Sequence, residues 1–374
     1  MGPSIIDEKI KVAQINEASE GIIPENNNVL INDFYSDSEF SDAIVRFEEP
    51  FENVSLRFVL SSENKVLKSE TFSLNSVERG QGITKIVFWE LGNDFKKGID
   101  PERNSESYKV QVSVKAGNKT LASKETTFLY QSPVLSNVKV VDFSADSEKA
   151  SILLTPVART GFQDLNLPEP SMIDFNLKLV SGMEVIYSTR QKNIPVTNTY
   201  YNASYWPFLL DKDKNYTAIL KVHSHSPDII TAYRSDFRAE EDIEILDYDI
   251  DVDEYGASVT IVGKSQVPFD GLVKVVLTPE DEEVQVFEET ADILTSGKED
   301  TVGIIWQGVP KGDYNVKIYV LNLEGEILDS HETVLRVFEP VAEESPVEES
   351  PSIAFFAALG ILLCAGLLST RKGK

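Results

Sequence analysis

The chain has 374 residues, of which 35 are Lys or Arg and 61 are Asp or Glu, giving a formal net charge of −26. Such an acidic chain excludes nucleic acid and anionic lipid surfaces as partners of its folded part. Its length predicts two or three domains. The single cysteine, Cys364, lies in an apolar tail, so we expect no disulfide upstream of it.

Residues 1–27 are predicted to form an N-terminal extension. No apolar run in them is longer than a pair such as Ile5–Ile6, so this sequence shows no core of an export signal. Two interpretations remain open. Either an export signal is missing from this sequence, or the protein is tail-anchored and faces the cytoplasm. We favour the first, because tail anchoring would place the basic C-terminal end outside the cell.

A short strand that ends in an acidic–aromatic pair occurs three times, at a spacing of about 105 residues. An acidic turn follows each copy, and an alanine then opens another alternating run. This pattern predicts the first two strands of three similar domains. The pairs are Asp33-Phe34, Asp142-Phe143 and Asp247-Tyr248, and the alanines are Ala43, Ala150 and Ala257.

A tyrosine followed by alternating residues marks the later part of each copy, and a tryptophan precedes each tyrosine. Alternate residues share one face of a strand, so we expect the three tyrosines to be buried. In the third copy, Gly312-Asp313-Tyr314 resembles the tyrosine corner of Greek-key sandwiches. The tyrosines are Tyr108, Tyr216 and Tyr314, and the tryptophans are Trp89, Trp206 and Trp306.

A repeat of this length has the size of an immunoglobulin-like sandwich, and no helical periodicity precedes the tail. Residues 28–338 resemble the tandem immunoglobulin-like or fibronectin-like domains of archaeal cell-surface proteins. The predicted fold class is all-β, with three tandem immunoglobulin-like β-sandwich domains, then a stalk and a single C-terminal transmembrane helix. Short joints predict that the domains stack as a semi-rigid rod. The predicted limits are 28–132, 133–240 and 241–338 for the sandwiches and 339–352 for an acidic, proline-bearing stalk.

The tail supplies the predicted membrane anchor. Residues 353–368 carry no charge, and with two further residues they form a helix of 353–370 that is long enough to cross a bilayer. The basic end at 371–374 favours the cytoplasmic side, which leaves the upstream domains outside as a single-pass ectodomain. The predicted anchor residues are Ile353, Phe355, Phe356, Leu359, Leu362, Leu363, Leu367 and Leu368.

An acidic spacer, a short hydrophobic helix and a basic end together resemble the C-terminal sorting tails of archaeal surface proteins, in which Pro-Gly-Phe precedes the helix. Here the matching residues are Pro351-Ser352-Ile353, so only the proline agrees. The resemblance implies membrane lipid as a partner and processing by an archaeosortase. Retention as a plain membrane anchor is an equally good expectation.

Possible metal ligands are few. Asp247, Asp249, Asp251 and Asp253 alternate along a predicted strand, and together with residues 240–242 they could form a calcium joint. The competing interpretation is a solvated face of an acidic protein, so we predict no cofactor and no metal. His223 and His225 point the same way on a strand, but a third ligand would have to be a carboxylate, and we interpret both as exposed residues.

No catalytic motif is found, so the chain is not expected to be an enzyme. The predicted function is a non-enzymatic, membrane-anchored cell-surface protein with an envelope-structural or adhesive role, whose partners are envelope proteins or glycans. The alternative is a carbohydrate- or ligand-binding module centred on the second domain. There, Tyr200 and Tyr201 could form an exposed aromatic platform beside the long loop 161–170.

Four sequons are candidates for glycosylation, and all lie in the first two domains. Their asparagines are Asn53, Asn118, Asn202 and Asn215.

Overall fold

The computed structural model describes residues 13–14, 28–63, 65–89, 107–129, 136–157, 171–279 and 283–338. Every regular element in these ranges is a β-strand, which confirms the all-β class. A two-residue strand, β1 (Ala13–Gln14), precedes three sets of seven strands. We call these sets domains 1, 2 and 3.

The seven strands of domain 1 form two packed sheets. The first, second and fifth strands pair in one layer, which a single strand pair joins to the sheet of domain 2, and the fourth, third, sixth and seventh strands make a four-stranded sheet. All pairs are antiparallel. The strands are β2 (Val29–Ser36), β3 (Phe40–Phe47), β4 (Phe51–Ser62), β5 (Lys65–Val77), β6 (Gly82–Phe88), β7 (Ser107–Ala116) and β8 (Lys119–Leu129).

Domains 2 and 3 repeat the same strand order, so the three domains share one sandwich topology. The strands of domain 2 are β9 (Val138–Ala145), β10 (Lys149–Pro156), β11 (Ser171–Ser181), β12 (Glu184–Val196), β13 (Tyr200–Tyr205), β14 (Asn215–His225) and β15 (Asp228–Arg238). Those of domain 3 are β16 (Ile243–Val252), β17 (Gly256–Gly263), β18 (Gly271–Pro279), β19 (Gln285–Thr290), β20 (Glu299–Ile305), β21 (Gly312–Asn322) and β22 (Ile327–Val337).

The alternation predicted from the sequence is visible in the burial of the sixth strand of each domain. In β7, Tyr108, Val110, Val112 and Val114 face the core, and their neighbours face outward. The tyrosines Tyr108, Tyr216 and Tyr314 are only 2%, 3% and 2% exposed, as predicted. The three tryptophans are buried in the same cores.

An aspartate holds the first turn of each domain. Asp37, Asp146 and Asp253 each accept hydrogen bonds from two backbone N–H groups, two and three residues further on. A carboxylate that bonds its own following backbone stabilises a tight turn between antiparallel strands. The recurring acidic turn of the sequence therefore has a structural role in all three domains.

No helix able to cross a membrane is found in the part of the chain that the structure describes. The predicted stalk 339–352, the helix 353–370 with its anchor residues and the loop 161–170 all lie outside the described residues. The same holds for the N-terminal extension except residues 13–14, which pair with β15.

Candidate functional site

The joint between domains 1 and 2 contains a buried charge cluster. Asp42 of β3 is fully buried and bonds the ammonium groups of two lysines from domain 2. Lys178 of β11 forms an ion pair with it, and Lys221 of β14 lies 3.0 Å away. Lys221 also lies 3.2 Å from Asp33, so two carboxylates face two lysines.

The pKa values of this cluster are consistent with charged partners. Burial raises the pKa of Asp42, but the attraction of Lys221 and Lys178 outweighs it and leaves that pKa below its usual value. Burial lowers the pKa of Lys178. For Lys221 the attraction of Asp42 and Asp33 outweighs burial, and its pKa is raised. A buried carboxylate with such partners stays ionised near neutral pH.

An apolar cluster surrounds these charges. Tyr35, Phe40 and Ile86 of domain 1 pack on side chains in the middle of the four-stranded sheet of domain 2. These side chains are Val180, Ile219 and Ala232. One strand pair, Lys85 with Glu184, joins the sheets of the two domains. Domain 1 therefore packs against the face of domain 2, which corrects the rod-like stacking expected at this joint.

Domains 2 and 3 meet through backbone hydrogen bonds instead. The backbone N–H of Gln266 donates a hydrogen bond to the carbonyl of Ser147 at 2.9 Å. The backbone carbonyl of Gln266 accepts one from the N–H of Leu210 at 3.0 Å. Ser296 Oγ donates to Glu148 Oε1 at 2.9 Å. These bonds join turns at one end of domain 2 to loops at the facing end of domain 3, so the two domains are in contact end to end.

Ionic and apolar contacts reinforce the second joint. Lys212 of domain 2 forms ion pairs with Glu241 and Glu324 at 2.8 and 2.6 Å, and these hydrogen bonds raise its pKa. Val267 of domain 3 is buried in the same cluster as Trp206. Both joints are thus fixed by side chains that cross between domains.

A second cluster lies on the part of the domain 2 sheet beyond Lys178 and Lys221. The cluster consists of Asp174, His223 and His225. One possible ligand atom from each residue lies within 4.8 Å of the other two, so among the described residues these three side chains could hold a metal ion. His225 Nε2 is 3.0 Å from Asp174 Oδ1. His223 Nε2 is 2.5 Å from Asp228 Oδ1, at the start of the next strand.

Strand pairing creates this cluster. Asp174 of β11 lies opposite His223 of β14, and His225 is two residues further along the same face. The sequence alone identified the two histidines but missed Asp174, which the fold brings in from a separate strand. Asn193 N–H donates to Asp174 Oδ1 at 2.9 Å, and Arg190 is 3.3 Å from Oδ2. Burial raises the pKa of Asp174, but these hydrogen bonds and that of His225 outweigh it and lower the pKa.

The four aspartates that were candidate calcium ligands lie apart on an interrupted strand and the turn that follows it. A bulge between Ile245 and Ile250 interrupts the alternation of β16, and Tyr248 within it is 85% exposed. All four aspartates are exposed: Asp247, Asp249, Asp251 and Asp253. Asp247 accepts a hydrogen bond from His331, and Asp253 accepts the backbone hydrogen bonds of its own turn. Residues 240–242 instead line a cleft of about 400 Å³ between domains 2 and 3. The candidate calcium ligands therefore do not converge in the part of the chain that the structure describes.

Tyr200 and Tyr201 do not form one aromatic platform. They are consecutive residues of β13, so their side chains point to opposite faces. Tyr200 packs against the core, where burial raises its pKa, whereas Tyr201 is 60% exposed. The exposed partner of Tyr201 on its own face is Tyr205, which is 54% exposed.

The four sequons differ in accessibility. Asn53, Asn118 and Asn215 are exposed. Asn202 follows Tyr200 on the inner face of β13, and its Nδ2 is buried with no hydrogen-bond partner within the described part of the chain. Because a glycan is attached at this nitrogen, the folded domain does not present Asn202 for modification.

Comparisons with known proteins give structural matches only. No protein-family model and no curated protein matches the chain. The FN1–FN3 domains of chicken CNTN1 are 9% identical, covering 83% of this chain and 98% of that chain, with a TM-score of 0.22. A tetra-tandem repeat from the extending region of a large adhesion protein is 11% identical, covering 83% and 74%, with a TM-score of 0.21.

A two-domain fibronectin type III segment of chicken tenascin is 18% identical and covers 54% of this chain and 98% of that one, with a TM-score of 0.24. These matched proteins consist of tandem repeats, as this chain does. At such TM-scores they carry no argument about its function.

Proposed function

We propose that this chain is a non-enzymatic, membrane-anchored surface protein whose three domains hold a contact surface in a fixed orientation. The observation that carries the proposal is the pair of fixed joints. A tandem array with mobile joints would let its outer domain turn freely, whereas here buried side chains cross each boundary. Such an array suits an envelope-structural or adhesive role.

The energy of the first joint supports this role. Removal of one partner from a buried ion pair costs about 3–5 kcal/mol, because the other charge is left without compensation. The Asp42 cluster is buried together with an apolar contact made by both domains. Separation of domains 1 and 2 would return these charges to water and would also expose the apolar contact, and it is the burial of the apolar contact that favours the attached arrangement.

Membrane anchoring is proposed from the sequence of the tail. Residues 353–368 are uncharged and a basic end follows them, which favours a cytoplasmic C-terminus and an outward ectodomain. The partners in this proposal are membrane lipid at the tail, and envelope proteins or glycans at the domains. The archaeal origin and sorting-type processing implied by the tail belong to the same proposal.

The test compares surface location and cell–cell contact in a host that makes the protein. Protease added to intact cells is expected to remove the domains, and deletion of the gene is expected to weaken cell contact. The Asp42→Ala variant, which loosens the first joint, should restore contact only in part when it is compared with the wild type at equal surface level. Glu125→Ala, which breaks a partly exposed ion pair with Lys109, is the matched control and should restore cell contact fully.

Two results would overturn the proposal. One is full protection of the domains from protease on intact cells, which would indicate a cytoplasmic orientation. The other is cell contact that is unchanged by the deletion.

A second proposal, carbohydrate binding by domain 2, rests on Tyr201 and Tyr205. Both rings lie on the outer face of β13, and Lys149 Nζ is 5.2 Å from the centroid of the Tyr205 ring. Exposed aromatic faces can stack on flat ligands. Binding of the full chain to a glycan array should be lost in the Tyr201→Ala/Tyr205→Ala variant and kept in Tyr248→Ala, an exposed tyrosine of domain 3. Equal binding by both variants would exclude this site.

A further inference from the structure

The cluster of Asp174, His223 and His225 has the donor set of a transition-metal site. Neutral imidazole nitrogen and carboxylate oxygen are ligands that Zn²⁺ and its first-row neighbours prefer, at bond lengths of about 2.0–2.2 Å. Ligands around a tetrahedral ion of that size lie roughly 3.3 Å apart. His225 Nε2 and Asp174 Oδ1 are already 3.0 Å apart, and all three ligand atoms lie within 4.8 Å of one another.

The backbone holds these ligands in place before any ion binds. Asp174 and His223 are directly opposed on paired strands, and the two histidine rings stand with their centroids 5.2 Å apart. Neighbouring strands of one sheet fix all three Cα positions. Small side-chain rotations would therefore close the remaining gap between the ligand atoms, at little cost in backbone order.

Further groups orient the carboxylate, as they do in metal proteins. Asn193 N–H and Arg190 both donate to Asp174, and such outer hydrogen bonds fix the direction of a ligand. Arg190 bonds Oδ2, so Oδ1 stays directed at His225. The positive charge of Arg190 weakens cation binding, and the carboxylate of Asp228 beside His223 offsets it.

We propose that Asp174, His223 and His225 bind one first-row divalent metal ion of the Zn²⁺ class. Two imidazoles and one carboxylate supply three ligands. Asp228 Oδ1 lies 2.5 Å from His223 Nε2, too close for both atoms to be ligands as placed, so water supplies the fourth position, as it does in other zinc sites with three protein ligands. Nothing in this inference depends on the surface role proposed above, because the site is built entirely from side chains of domain 2.

The test is a calorimetric titration, in which Zn²⁺ is added to the metal-free full chain in detergent and the heat of binding is measured. We expect one Zn²⁺ per chain in the wild type. Loss of an outer-shell partner alone weakens metal binding about 10–100-fold, so loss of two ligands in His223→Ala/His225→Ala should weaken it by more than about 100-fold. The matched control is His331→Ala, which removes the remaining histidine of the chain, one also paired with an aspartate. It should bind as the wild type does.

Histidine NMR signals keep the test valid if the double variant folds poorly. In the wild-type chain, Zn²⁺ should shift the imidazole signals of His223 and His225 and leave that of His331 in place. The chain carries 61 acidic residues, so weak binding to scattered carboxylates is the competing result. Binding that survives in the double variant, or Zn²⁺ that moves no histidine signal, would overturn the proposal.

Discussion

Lys178 and Asp42 lie 136 residues apart in the chain and form an ion pair whose side chains are 1% and 0% exposed. One belongs to domain 2 and the other to domain 1, so the pair exists only when the domains are packed together. Burial of two charges is costly unless each has a partner, and here the second lysine, Lys221, completes the cluster.

The first prediction concerns this pair. Asp42→Ala leaves Lys178 buried without its partner, and we expect the free energy of unfolding of domains 1 and 2 to fall by about 3–5 kcal/mol. Urea unfolding of the full chain, followed by tryptophan fluorescence, measures it. Glu125→Ala breaks the partly exposed pair with Lys109 and should cost less than about 1 kcal/mol. Equal losses in the two variants would show that Asp42 does not stabilise the joint.

The second prediction concerns pH. Burial is the main cause that raises the pKa of Asp37 to about 7, against the hydrogen bonds it accepts from Phe40 and Glu39. In the unfolded chain this carboxyl releases its proton near pH 4. Between those values the folded state holds a proton that the unfolded state has lost. The contribution of Asp37 to stability is therefore greatest below pH 4 and falls as pH rises towards 7.

Asp37→Asn should remove this part of the pH dependence, because the amide keeps an acceptor for the turn and does not titrate. Unfolding midpoints between pH 5 and 8 measure the effect. Asp146→Asn changes the equivalent, exposed turn of domain 2 and should keep the wild-type profile. A wild-type profile in Asp37→Asn as well would assign the pH dependence to other groups.

The third prediction tests the tyrosine corner of domain 3. Tyr314 donates to the carbonyl of Pro310 at 2.7 Å, so the resemblance found in the sequence corresponds to a real contact. Tyr314→Phe removes the hydroxyl and should destabilise domain 3 by about 0.5–1.5 kcal/mol in thermal unfolding. The control is Tyr319→Phe, at a half-buried position on the other face of β21. Equal losses of stability in the two variants would mean that the hydrogen bond from Tyr314 to Pro310 does not stabilise domain 3.

The fourth prediction concerns glycosylation. In protein recovered from a glycosylating host, peptide mapping should find Asn202 unmodified, since its Nδ2 is buried in the sandwich. Modified peptides should come from the exposed sequons, Asn53, Asn118 and Asn215. A glycan found at Asn202 would contradict the inward orientation of this side chain on β13.

The sequence predicted the sandwich elements well because local alternation determines them. Tyr108, Tyr216 and Tyr314 open strands whose apolar side must face a core, and this pattern can be detected without knowledge of the partner strands. Alternation also separates Tyr200 from Tyr201, since consecutive strand residues cannot share a face. The platform of Tyr200 and Tyr201, which was offered as an alternative, is therefore inconsistent with the alternation of a strand.

Contacts between distant strands could not be predicted in the same way. The carboxylate of Asp174 reaches His223 only because β11 pairs with β14 in one particular register. Likewise, no pattern near Lys178 or Asp42 shows that two domains pack through them. The bulge in β16 was also missed, because extra residues in a strand leave no reliable mark in an acidic sequence.

The strand pairing at both margins of the domain 2 sheet affects how the protein behaves at high concentration. An open strand edge exposes unpaired N–H and C=O groups that can recruit a strand from another molecule. Here β12 meets β6 of domain 1 on one side, and β1 pairs with β15 on the other. Part of each edge is thus occupied by the same chain. Another molecule would have to displace these strands in order to pair along the covered parts, so the arrangement shortens the open length of each edge.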